Sequence, residues 1–551
     1  MPEEKDGYSQ YPRGAKITVV NRGQICQHSN GHESYKVNIN NPLISVGHEG
    51  FCILGDISGV EGFLLLFQEG NRMVYGWIAD LFRVLLVSCG LLTALHALLY
   101  KRDPRASLGW IVTSLAIPGV GPLLYWLLGV NRIRARGRGW QEGGNGLPLR
   151  GAPLCAWSAD LAVSGLPFRD EWYAPYLTLA DTVTRRPLLG GNAVKILING
   201  DAAYPAMLEA INTARQTVYL SSYIFESNAT GRRFIEALSQ AVKRGVEVRV
   251  LVDALGECYS RPLIGRLLSR SMVPVARFLP FSLGGRGMHF NLRNHRKLLV
   301  VDGTLGFTGG MNIGDRHLLE NSVNGSVRDL HFRIEGPVVG QMQDAFCEDW
   351  GFATGEHLAG SMPTLEHYGS AVCRGVSAGP NEDFEKLHWL LTGVLAVARE
   401  RVCIMTPYFI PDRQLVTALN TAALRGVKVE LLLPERNNLP LVQWASRAYF
   451  WELLQYGVRI YLQPPPFDHS KLLLVDDLYS LVGSANLDPR SLRLNFEFNL
   501  EVYDSSLNAR LAAHFDACRN VSHPVTREEM DGRPLPAKMR DATAKLLSPY
   551  L

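Results

Sequence analysis

His295-Arg296-Lys297-Leu298-Leu299-Val300-Val301-Asp302 returns 174 residues later as His469-Ser470-Lys471-Leu472-Leu473-Leu474-Val475-Asp476. Both copies read His-x-Lys, four apolar residues, Asp. Each is followed by small residues and an asparagine, Gly309-Gly310-Met311-Asn312 and Gly483-Ser484-Ala485-Asn486, and His to Asn is 17 positions in both. A single His-x-Lys is a pattern that chance supplies, and a core histidine is usually only packed. Two copies with matched asparagines are a duplicated site.

The residues around the two copies repeat as well. Val218 to Phe225 is a strand pattern, a helical stretch runs to Lys243-Arg244-Gly245-Val246, and Glu247 to Asp253 is the next strand. In the second half Val402 to Phe409, a helix ending at Leu424-Arg425-Gly426-Val427, and Lys428 to Leu433 follow in the same order. Gly at the helix end is the usual C-terminal stop. Alternating strands and helices predict an α/β fold, here two tandem α/β sandwich halves about a pseudo-two-fold axis. Each motif enters a buried strand, Leu298 to Val301 or Leu472 to Val475.

In a strand alternate residues face one side, so His295 and Lys297 point together, as do His469 and Lys471. Packing the halves about a two-fold axis brings two His, two Lys and two Asn to one pocket. That set suits a phosphate. Ammonium and amide donors stabilise charge on non-bridging oxygens, a neutral His attacks phosphorus, and a second His serves as acid and then base. Asn312, Asn486, Gly310 and Ser484 are expected to bind the phosphate, Gly309-Gly310 and Gly483-Ser484 letting the backbone come close to it. Asp302 and Asp476 are expected to bond a His ring nitrogen, the role also open to Asp329 and Glu497. No carboxylate cluster suggests a metal, and none is required.

The 551 residues are 47% hydrophobic and 20% charged with net charge +4, too little to suggest nucleic acid. Nine cysteines, none in a C-x-x-C pair, argue against a zinc site and a disulfide framework. Trp77 to Tyr100 is mostly apolar, and Leu108 to Val130 is 23 residues without charge. About 20 apolar residues span a bilayer. Pro118-Gly119-Val120-Gly121-Pro122 interrupts the second run, so it either spans with a kink or is re-entrant. Arg132, Arg134, Arg136 and Arg138 follow it and predict a cytoplasmic C-terminal part; each is worth about 1 kcal/mol against anionic headgroups. Residues 1–72 are expected to be a disordered extension or the product of an upstream start. Residues 73–136 read as a membrane anchor, 137–189 as linker and lead-in, 190–355 as the first half, 356–380 as a connector and 381–551 as the second half with a tail.

The doubled motif resembles the phospholipase D superfamily. Within it, Asn294-His295-Arg296-Lys297 through Asp302-Gly303, Gly306-Phe307-Thr308-Gly309-Gly310-Met311-Asn312-Ile313-Gly314-Asp315, and Asn495-Phe496-Glu497 are similar to bacterial cardiolipin synthases. So are the apolar pair with its Pro-Gly break, Asp349-Trp350, and Leu546-Leu547-Ser548-Pro549. The likeness covers roughly residues 75–551; Pro464-Pro465-Pro466-Phe467-Asp468 departs from the Gly-like approach expected before His469. The resemblance implies an inner-membrane, multi-pass phosphatidyltransferase without cofactor. It joins two phosphatidylglycerols into cardiolipin and glycerol through a phosphatidyl-histidine; the sequence is symmetric as to which histidine attacks, and His295 is taken as nucleophile with His469 as acid and base. The alternatives are a phospholipase D-type hydrolase and a synthase using phosphatidylethanolamine as donor. A nuclease of the superfamily fits the charge and the apolar runs poorly.

Overall fold

The computed structural model describes residues 58–101, 104–130, 173–280, 292–320, 325–358, 366–379 and 385–548. The Arg cluster at 132–138 and most of the expected extension and linker lie outside them. The chain forms two units, residues 1–126 and 127–551.

In the first unit one helix runs Ser58–Tyr100. It starts ahead of the boundary expected at 73, because Phe63-Leu64-Leu65-Leu66-Phe67 already favours a helix. Its Gly76–Tyr100 part is long and apolar enough to cross a membrane. A second helix, Pro104–Ala116, has 13 residues, about 20 Å at the usual rise and short of the roughly 30 Å hydrocarbon core. It packs back on the first, Ser107 Oγ donating to Ala97 O at 3.2 Å, and further along the chain the Tyr125 hydroxyl meets His96 Nδ1 at 2.7 Å. Gly119, at φ 81°, breaks the run before a short turn of helix at Val120–Leu124.

The second unit is built on one 15-stranded mixed sheet. From its seam outward the first half contributes Leu189–Ile198, Leu330–Glu335, Leu305–Gly309, Leu298–Val301, Thr217–Ser222, Glu247–Asp253 and Val275–Phe278. The second half contributes, in the same order, Ala371–Ala378, Glu497–Tyr503, Tyr479–Gly483, Leu472–Val475, Arg401–Met405, Lys428–Pro434 and Arg459–Gln463, with His523–Val525 added at its edge. The halves meet where Leu189–Ile198 runs antiparallel to Ala371–Ala378, pairing Leu189 with Cys373 and Asn192 with Ala371. Equivalent strands side by side and antiparallel are what a two-fold axis through the sheet requires.

Helices cover both faces. Asn199–Thr213 and Ala229–Lys243 bury one face of the first half around Leu220, Phe234 and Val250. The helices Val338–Thr354 and Ser505–Asn520 cover the other face, in a core that unites Leu298, Phe346, Leu472 and Phe515 across the two halves. Asn228 and Asp412 cap equivalent helices by accepting from the N–H of Gly231 and Leu415. Gly245 and Gly426 end those helices at φ 86° and 94°, a conformation costly for any residue with a Cβ.

Candidate active site

Each motif reaches its strand through an extended approach that hydrogen-bonds to the opposite half. His295 N donates to Phe496 O and Phe496 N to Arg293 O, both at 2.8 Å. Phe467–Asp468 pairs in parallel with Val327–Arg328, and His469 N donates to Arg328 O at 2.8 Å. The residue after each acceptor is an acid, Glu497 or Asp329. The backbone register therefore brings each acid to the histidine of the other half. His295 Nδ1 lies 3.0 Å from Glu497 Oε2, and His469 Nδ1 lies 2.9 Å from Asp329 Oδ2. With Nδ1 engaged, Nε2 is the nitrogen left for a ligand.

Lys297 Nζ donates to His295 O at 2.7 Å, and Lys471 Nζ lies 2.9 Å from His469 Nδ1. His295 and His469 are each 8% exposed while both lysines and both acids are buried more deeply. Lys471 acts electrostatically on His295, and Lys297 on His469, so the four groups form one cluster.

Desolvation sets the charges. Burial lowers His295 to about 4, and burial with the adjacent Lys471 takes His469 well below its ordinary value. Both imidazoles are neutral at pH 7, as a nucleophile must be. Burial also lowers Lys297 to about 7 and Lys471 to about 8. The two acids differ. Burial pushes Glu497 up, but His295, Lys297 and the Ser484 hydroxyl hold it below the usual carboxylate range. Burial raises Asp329 well above that range, Lys471 offsets this in part, and Asp468 adds repulsion.

The expected role of the two motif aspartates is corrected. Asp302 and Asp476 do not bond a histidine. They sit at φ 51° and 53° in the turns after their strands, a conformation Asp tolerates. The Asp302 carboxylate accepts from the N–H groups of Arg215, Gln216 and Thr217, and that of Asp476 from Arg399, Glu400 and Arg401. Each locks a turn to the start of the neighbouring strand. Gly310 uses its N–H on Leu330 O at 3.2 Å and contributes room: a Cβ there would lie 2.3 Å from Asp329 Oδ1. Its counterpart Ser484 turns to the acid, donating from Oγ to Glu497 Oε2 at 2.5 Å. Asn312 Oδ1 accepts from Ile224 N at 3.2 Å. Asn486 is buried beside Lys471 in a small cavity shared with Gly483 and Asn499.

Asp302→Ala is therefore expected to cost about 1–3 kcal/mol of stability and to leave turnover per folded molecule nearly intact. Denaturant titration alongside kcat would check this; a collapse of kcat at unchanged stability would return Asp302 to the chemistry.

Several residues that matter here were not singled out by the pattern. Arg296 is fully buried, bonds Asp349 at 2.9 Å, and also donates to Glu497 O and Ala378 O of the other half. Tyr223 lies with its ring 5.1 Å from that of His295, and Tyr408 with its ring 6.1 Å from that of His469. Arg296 follows His295 directly, and its position between the two motif residues places it on the opposite face, the one signal available.

The family model described as cardiolipin synthase, phospholipase D-like domain matches residues 207–350 and 391–519. That of the phospholipase D–nuclease N-terminal domain matches 91–129. The major cardiolipin synthase of Bacillus subtilis is 32% identical over 461 residues, 82% of this chain and 95% of that protein. Cardiolipin synthase A of Pseudomonas aeruginosa is 33% identical over 465 residues, 84% and 94%. Among solved structures, the phosphatidylserine synthase of Haemophilus influenzae superposes at a TM-score of 0.54 with 17% identity, over 68% of this chain and all of that one. That likeness speaks for the fold.

Proposed function

Since this chain belongs to the cardiolipin synthases of the phospholipase D superfamily, we propose that it transfers the phosphatidyl group of one phosphatidylglycerol to the terminal hydroxyl of another. His295 Nε2 attacks the phosphodiester phosphorus. The glycerol oxygen leaves with a proton from His469, and a phosphatidyl-His295 remains. His469 then removes the proton from the second lipid's hydroxyl, the new P–O bond forms and the P–N bond breaks. Lys297, Lys471, Asn312 and Asn486 face the charge on the non-bridging oxygens. The crossed His–acid pairs carry this reading, because they leave two Nε2 atoms for one phosphate.

The unequal acids favour His295 as nucleophile. Glu497 is held ionised and orients a neutral His295. Burial pushes Asp329 up, so it holds a proton more readily than Glu497 does, on the side where an acid is needed. The enzyme is membrane-associated through its apolar helix. An inner-membrane, multi-pass anchor with the catalytic part on the cytoplasmic side belongs to this reading; the two apolar runs and the Arg cluster after them support it, with the second run re-entrant if its 13-residue helix does not span.

Purified protein in liposomes of phosphatidylglycerol, analysed by mass spectrometry, is expected to yield cardiolipin and glycerol in equal amounts. Phosphatidic acid in their place would make it a hydrolase. Cardiolipin only after phosphatidylethanolamine is added would change the donor.

The lysines set a pH limb. They hold the phosphate as ammonium ions, and burial has brought them to about 7 and 8. Raising the pH through those values removes the charge, so kcat/KM is expected to fall between about pH 7 and 9. It falls again as His295 gains a proton near 4. A flat profile across the alkaline range would exclude the ammonium role.

A further inference from the structure

The second half carries an addition that the two-fold axis does not require. Between the strands Lys428–Pro434 and Arg459–Gln463 stands the helix Pro440–Gln455, 16 residues where the first half has Ile264–Arg270, seven. After Ser505–Asn520 the chain adds the edge strand, a short helix Arg527–Asp531 and a longer one, Leu535–Leu546. The two long helices lie side by side. Arg540 sits 4.7 Å over the Trp444 ring and Lys545 4.1 Å over that of Tyr449, whose hydroxyl donates to Ser548 Oγ at 3.3 Å. Contacts that advance together along both helices make them parallel, with their N-terminal ends at one end of the pair.

That end adjoins the site. The Tyr408 ring lies 6.1 Å from that of His469, and its hydroxyl donates to Asn438 Oδ1 at 2.9 Å. Tyr408 also packs on the small core of Ile410, Val442, Ala445 and Ala544 that joins the two helices. One tyrosine thus links His469 to the head of the pair, where Leu439 and Leu441 stand exposed.

Leu535–Leu546 has two unlike faces. Asp541 and Ala544, with Ser548 one turn on, are buried. Leu535, Met539, Ala542 and Leu546, three or four residues apart, form the opposite face at about 3.6 residues per turn. Leu535 is 68% exposed, Met539 61% and Leu546 78%. Single apolar side chains on a surface need no account, but a stripe in helical register does. Lys538 and Lys545 border it on one side and Arg540 on the other. The helix's one carboxylate, Asp541, is turned inward and accepts from Arg533 and Arg540. The acids nearest in sequence, Glu528, Glu529 and Asp531, belong to the preceding short helix.

Apolar side chains bordered by cations suit a helix lying in a bilayer surface, leucines among acyl chains and cations at the headgroups. A second copy of this chain suits the face poorly, since a two-fold contact through the stripe would set cation against cation. We propose that Leu535–Leu546, with Leu439 and Leu441, docks on an anionic lipid surface and so holds the His469 side of the site against the layer that contains its substrates. The docking face rests on the reading that those substrates are bilayer lipids.

The test uses the full chain in phosphatidylglycerol liposomes, with the photoreactive benzoylphenylalanine in place of Met539, of Leu546 or, for reference, of the exposed Glu236 on the helix Ala229–Lys243. Irradiation and peptide mass spectrometry are expected to show lipid adducts at the first two positions about tenfold above the third. Equal lipid labelling at all three overturns the proposal. So do protein–protein adducts in place of lipid ones, which would give the face to a second copy or to another part of the chain. In mixed micelles dilute in phosphatidylglycerol, Leu535→Ser, Met539→Ser and Leu546→Ser combined are expected to raise KM about tenfold, since three apolar side chains lose their burial in lipid, with kcat and Tm unchanged. On monomeric short-chain phosphatidylglycerol, which offers no surface, the combined variant should match the wild type. A KM unchanged on micelles, or raised equally on both substrates, overturns the docking role. Wild-type protein that forms the lipid adducts but makes no cardiolipin sinks the transferase reading and leaves the docking face standing.

Discussion

His295→Ala is expected to lower cardiolipin formation by about 10⁴-fold or more, and His469→Ala to lower it as far. The two imidazoles perform successive parts of one displacement, so neither substitutes for the other, and the double variant should be no worse than either single one. They separate with a donor lipid bearing an aryl leaving group, which departs without an acid. His469→Ala should then release about one equivalent of the aryl alcohol per enzyme and carry the phosphatidyl group on His295, visible by intact-protein mass spectrometry. His295→Ala should release none. Near wild-type turnover in either alanine variant would end the two-half site, and a burst in His295→Ala alone would reverse the roles.

Glu497→Gln should cost on the order of 10³-fold in kcat, by the tautomer argument that applies to any imidazole fixed by a carboxylate. The carboxylate accepts from Nδ1–H and leaves a lone pair on Nε2. A glutamine amide can present its NH₂ to Nδ1, moving the proton to Nε2 and removing the nucleophile. Asp329→Asn should lower kcat at every pH, since His469 both gives and takes a proton in each turnover. The check is kcat across pH with the circular dichroism spectrum unchanged. A loss below tenfold for Glu497→Gln would mean that the crossed contact positions nothing.

Much of this was legible in the residues. The doubled motif, the helix-ending glycines and the β-branched strands after them specify two like halves, and 3.6- against 2-residue periodicity places them. The partners of the histidines were legible only in part. Asp329 and Glu497 were candidates, but so were Asp302 and Asp476, and a chain written in one dimension does not say which way a turn throws its carboxylate. The left-handed turn at Asp302 sends it back to the strand beginning at Thr217. Which half supplies each acid depends on two short cross-half backbone pairings that carry no pattern of their own. Ser484 aligns with Gly310 and reads as a phosphate ligand; its hydroxyl instead donates to Glu497, which the chain places 13 residues further on in the neighbouring strand. Arg296 follows His295 and was passed over, since a buried arginine is indistinguishable from a solvated one until the strands close around it.

The crossed carboxylates also impose a schedule on synthesis. His295 leaves the ribosome 202 residues ahead of Glu497, about 10 to 40 s at ordinary translation rates. During that interval an apolar helix has already been made, and a lipid-cleaving centre could be sitting among lipids. It is inert because its first histidine has no carboxylate to orient it and its first acid, Asp329, has no histidine to serve. His469 then arrives for Asp329 before Glu497 arrives for His295, so only when the last strands are in place does the chain hold both pairs, and a product stalled earlier lacks the complete site.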